Sequence, residues 1–129
     1  MQSKGKTLIG VYKADGGLVG EVSYFLGHLV GVKECSLCDI THSPIMKKKA
    51  FKEFEKRLEA GRGMKIRLVH MNERSPAELS ASQGREPCVL LEYEDGSMSM
   101  FLDYEELKAA GGKVSSFEKL VESRLNIYL

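Results

Sequence analysis

The chain has 129 residues and a mass of 14.4 kDa, enough for one domain with a hydrophobic core that needs no covalent staples. Its 43% hydrophobic and 29% charged residues are ordinary for a globular protein, and a net charge of +1 excludes a general pull towards nucleic acid or an anionic membrane. Three cysteines, Cys35, Cys38 and Cys88, are an odd number and argue against a structural disulfide framework.

The opening "MQSKGKTLIGVYKADGG" carries basic residues but only a short apolar run, and it reads as neither a signal peptide nor a membrane span. Within it "TLIGVYKA" is β-rich and ends at Asp15, Gly16 and Gly17, a strand leading through a sharp turn into a helix. That helix is expected over residues 18–30, with Val22, Phe25 and Leu29 on its buried face and Gly31 ending it. Glu21 and His28 make the stretch too polar and it is too short to span a bilayer, so a cytoplasmic protein with no membrane partner is expected.

A second helix is expected from Ser43 as cap and Pro44 at its first position to a stop at Gly61, with Phe51, Phe54 and Leu58 on one face. "MKIRLVHM" reads as a strand with Ile66 and Leu68 inward, and "NERSPAELSASQG" as a loop with one short helical turn. "PCVLLEY" and "SMSMFL" flank an Asp95-Gly96 turn and form a hairpin, placing Val89, Leu91 and Phe101 in the core with Leu8, Val11 and Leu120. Two helices close the chain, capped by Asp103 and by Ser115 with Glu118 at the capping-box position.

The chemistry concentrates in "KECSLCDITHSP", residues 33–44, where three readings stay open. Two thiols at Cys-x-x-Cys spacing can close a small ring or grip one metal ion. As a redox pair, Cys35 and Cys38 would act with His42 as a proton-transfer or thiolate-stabilising neighbour, need no cofactor, and exchange with a protein thiol or a small thiol. Lys33 favours the thiolate; Asp39 opposes it, and the pair lies several residues ahead of the expected helix start. As a metal clip, Cys35, Cys38 and His42 would hold zinc or iron, with Cys88 the best fourth ligand and His70 or Asp39 next. As ordinary packing, the cysteines would simply be small buried side chains.

Other features favour plain readings. Asp15, Gly16 and Gly17 could offer backbone amides to an anion, but no complete phosphate-loop pattern surrounds them, and a simple turn is preferred. Lys47, Lys48, Lys49, Lys52, Lys56 and Arg57 are interleaved with Glu53, Glu55 and Glu59, which suits a solvated helix face better than nucleic-acid binding. Glu21 and His28 are two helical turns apart, too far for direct proton transfer.

Strand, helix, helix, strand, loop, a hairpin headed by Pro87 in "REPCVLLEYEDGSMSMFL" and a helical end: this order resembles a thioredoxin-fold domain over most of the sequence. The resemblance implies an α/β class, a single domain over 1–129, a mixed four-stranded sheet flanked by helices, and a cis bond before a Pro87 that faces the redox motif. The family carries its Cys-x-x-Cys at the turn after the first strand, where this chain has "ADGGLVG". "ADGG" combined with "CSLCDITH" also resembles an uncharacterised group of small bacterial proteins. A right-handed crossover would bring the start of the second helix back to the edge where the first strand ends. Asp15, Gly16, Gly17 and Pro87 would then form a substrate edge at which Cys38, His42 and Cys88 converge.

Overall fold

A computed structural model describes residues 5–13, 36–41 and 48–128. Strand β1, Gly5–Val11, is apolar on both sides: Leu8 packs into one buried cluster, Ile9 and Val11 into another. A strand buried on both faces reads as a continuous apolar run rather than an alternation. It pairs in parallel with β2, Lys65–Val69, and antiparallel with β3, Cys88–Tyr93, which pairs antiparallel with β4, Met98–Leu102. The sheet order is β2-β1-β3-β4, a mixed four-stranded sheet flanked by helices, of α/β class and thioredoxin-like layout.

Helix α1, Ser36–Thr41, replaces the non-helical link expected there; Leu37 and Ile40, one turn apart, are fully buried. Cys38 therefore lies within a helix rather than ahead of one. Helix α2, Lys49–Arg62, begins later than expected, because Lys48 is extended at φ −64° and ψ 141°. It also ends later: Gly63, at φ 64°, takes the left-handed stop, and its amide donates to the Glu59 carbonyl at 2.9 Å. The expected start at Ser43 and Pro44, and the whole expected helix over 18–30 with Val22, Phe25 and Leu29, lie outside the described residues.

After β2 the expected loop is largely helical, with a 3₁₀ turn at Met71–Glu73 and helix α3, Pro76–Ser82. A reciprocal cap starts α3: the Glu78 amide donates to Ser75 Oγ at 3.2 Å, and the Ser75 amide to Glu78 Oε1 at 2.9 Å. The β3–β4 hairpin turns through Glu94, Asp95 and Gly96, with the Gly96 amide on the Tyr93 carbonyl at 2.9 Å and Gly96 at φ 88°. This is a type I turn closed by a glycine bulge. Helix α4, Tyr104–Ala109, carries the expected Asp103 cap, its carboxylate accepting from the Glu106 amide at 2.9 Å. Helix α5, Val114–Tyr128, starts ahead of Ser115, so Ser115 is not its cap. Glu118 instead accepts two hydrogen bonds from Arg57, at 2.9 and 2.7 Å.

Phe54 is the centre of the packing between α2 and α5, its ring 5.5 Å from those of both Phe51 and Phe117. Arg57 pairs with Glu118 and Arg62 with Glu122, so the two helices run parallel. Leu8, Ile66, Val89, Leu91 and Phe101 join this cluster as expected, while Leu68 and Leu120 are only partly buried. Among the described residues no helix is long and apolar enough to cross a membrane.

Candidate functional site

Val11 is paired with Val69 on one side and Cys88 on the other, so the ends of β1 and β2 and the start of β3 share one sheet edge. Tyr12 extends β1 there, its amide donating to the Val69 carbonyl at 2.9 Å. Its ring joins the α1–α2–α5 side of the sheet, with Leu8, Leu37 and Ile40. Tyr12 and Thr41 share a buried hydroxyl–hydroxyl hydrogen bond of 2.7 Å. This bond fastens the last residue of α1 to the edge, one helical turn beyond Cys38. Gly10 makes the approach possible, since a Cβ there would lie 2.8 Å from Leu68 Cδ2 and 3.1 Å from Leu37 Cδ2.

His70 follows β2 and lays its ring against Tyr12, centroids 5.1 Å apart. Its Nδ1 is 2.8 Å from Glu73 Oε1, and its backbone amide donates to the same oxygen at 2.8 Å. Nδ1 also faces the Glu73 amide. That amide already donates to the His70 carbonyl at 3.0 Å, and a carboxylate so close to a ring nitrogen calls for a proton between them. The proton is therefore assigned to Nδ1, which leaves Nε2 as the acceptor in the neutral ring. The His70 amide, and then its ring, hold the Glu73 carboxyl below the ordinary carboxylate range.

Arg74 braces the adjoining turn by donating to the Met71 carbonyl at 2.9 Å, to Ser82 Oγ at 3.0 Å and to the Glu86 carboxylate. The Glu86–Pro87 bond is cis, the geometry the hairpin resemblance implied, and Pro87 is buried at the head of β3.

Cys88 faces the other way. It packs with Ile9, Val11, Val69 and Leu90 on the α3 side of the sheet, whereas Leu37 and Ile40 of α1 pack on the opposite side. Cys88 and Val89 alternate between faces, so Cys88 lies across the sheet from Leu37 and Ile40; the Cys38 side chain and His42, expected to converge with it at this edge, lie outside what is described. Burial first, and then the neighbouring Glu86 charge, push the Cys88 thiol up to about 12, so it is a neutral group packed in this core. Asp15, Gly16, Gly17, Cys35 and His42 lie outside the described residues. Among the described residues no group of three or more His, Cys, Asp or Glu side chains is placed to hold a metal ion.

Tyr12, Thr41, the His70–Glu73 pair and the Arg74 brace were not singled out in the sequence, save His70 as a reserve ligand. Their contacts join segments that no local pattern connects. Fold and edge together define an α/β domain, its mixed four-stranded sheet consistent with a thioredoxin-like layout, with a polar cluster at the ends of its central strands. No family model, curated protein or solved structure matches the chain.

Proposed function

We propose that this domain is a thiol-based redox protein that exchanges disulfides, or senses them, through Cys35 and Cys38. The observation that carries the reading is the Tyr12–Thr41 hydrogen bond, which ties the helix bearing Cys38 to the edge where β1, β2 and β3 meet. The partner class is a protein disulfide or a small-molecule disulfide. A thiolate of the pair attacks one sulfur of the partner, the partner's S–S bond breaks, and its leaving thiolate is protonated. The second thiol, on losing its proton, attacks the mixed disulfide, closing Cys35–Cys38 and releasing the other partner thiol. Two electrons pass from the pair to the partner.

Mild oxidation of the purified protein should remove two of its three thiols, the third, Cys88, becoming titratable only on unfolding. Cys35→Ser or Cys38→Ser should abolish that loss. Three thiols remaining after oxidation of the wild type would refute the reading, as would bound zinc or iron lost together with stability in either variant.

A further inference from the structure

We propose that α3 is a latched cover: the Glu78 carboxylate, held by Arg67 and the Ser75 amide, keeps the helix on the sheet, and losing that hold lifts α3 as a unit from the cluster that contains Cys88. A helix is ordinarily fastened by an apolar face. In α3 the buried side chains are Glu78 and Ser82, one turn apart, whereas Leu79, its largest apolar side chain, is 40% exposed. Pro76 and Ala77 are exposed as well, and Ala81 adds a single methyl group to the cluster below. The hold is therefore polar. Glu78 Oε1 accepts from the Ser75 amide at 2.9 Å, and Oε2 accepts from Arg67 on β2. Ser82 Oγ donates to the Glu78 carbonyl at 2.6 Å and accepts from Arg74 at 3.0 Å. The floor is of the other kind, with Ile9, Val11, Val69, Cys88 and Leu90 all buried. A short helix with so little apolar anchorage opens locally before the core does.

Glu78 is also the group through which pH acts on the cover. Arg67, from β2, is the charged group that faces it among the described residues. On the same sheet face β3 carries the neutral Cys88 thiol and, further along, Glu92, and β4 carries the uncharged Met98 and Met100. Arg74 and Glu86, in the turns that flank α3, pair with each other. Burial acting alone would raise the Glu78 carboxyl, but the Ser75 amide and then Arg67 outweigh it and hold the group below its ordinary value of 4.5. A carboxyl lowered in the closed form gives stability that is complete above the ordinary value and is lost as pH falls through the lower one, so acid lifts α3. Once it is lifted, Cys88 meets water and loses the burial that kept its thiol unreactive.

The test is labelling of Cys88 by 4,4′-dithiodipyridine, a thiol reagent that works in acid, between about pH 3 and 7 in the wild type, Glu78→Gln and Arg67→Met. Peptide mass spectrometry resolves Cys88 from Cys35 and Cys38, so the result does not depend on the redox reading. Amide hydrogen exchange is followed in parallel. In the wild type, labelling of Cys88 should be slow at pH 7 and quicken about tenfold in acid, below the ordinary Glu78 value of 4.5. Glu78→Gln should label about tenfold faster than the wild type at pH 7 and lose the acid rise, and Arg67→Met should also label faster at pH 7. In each case exchange should rise over residues 77–82 while β1 keeps its protection. Wild-type labelling of Cys88 in folded Glu78→Gln overturns the proposal. So does α3 exchange that rises only together with that of β1, since global unfolding would then be what exposes the thiol. Should Glu78→Gln not fold, Arg67→Met decides by the same two readings.

Discussion

Cys88 is a thiol that folding keeps protonated. The unfolded chain would ionise it near its ordinary value of 9.0, whereas the folded protein holds it neutral up to about 12. Above the unfolded value the unfolded state therefore binds fewer protons than the native one, and stability falls as pH rises through this window. The slope from this group approaches about 1.4 kcal/mol per pH unit. Cys88→Ala should remove that component from urea midpoints measured between pH 9 and 11, at the cost of a small cavity. An equally steep alkaline loss in the variant would mean that another group controls it. Nothing in "EPCVLLEY" tells which way Cys88 points, because a strand buried on both faces gives no alternation to read.

At the scale of elements, Gly10 is the seat on which α1 rests. A methyl group there would press on Leu68 and Leu37, so Gly10→Ala should cost about 1 to 3 kcal/mol in urea unfolding. A cost below about 0.5 kcal/mol would show that both leucines rotate aside without moving the helix. Helix α1 was hard to read for a related reason. Among its described side chains the apolar contacts are Leu37 and Ile40, so burial against the sheet, not periodicity, makes it helical. Helix α3 did have a legible start, Ser75 with Glu78 three residues on, but polar Asn, Ser and Gln around it gave the look of a loop. The strands, the hairpin glycine and the Asp103 cap were legible because their signals are local. Tyr12–Thr41 spans 29 residues and left no local trace.

At the scale of the whole molecule, the larger of the two described core clusters holds the aromatic contact of Phe54 with Phe51 and Phe117. Phe54→Ala should cost about 3 to 5 kcal/mol, read from the shift in urea midpoint at constant slope. A loss below about 1 kcal/mol would mean that α2 does not organise this core. The parallel pairing of α2 with α5 also bears on how the protein is made. Arg62 and Glu122, which meet across that interface, are 60 residues apart, so at about 5 to 20 residues per second α2 leaves the ribosome roughly 3 to 12 s before its partner does. During that interval Phe51, Phe54 and Leu58 have no α5 to cover them, so the nascent chain exposes part of its apolar core until its last described helix emerges.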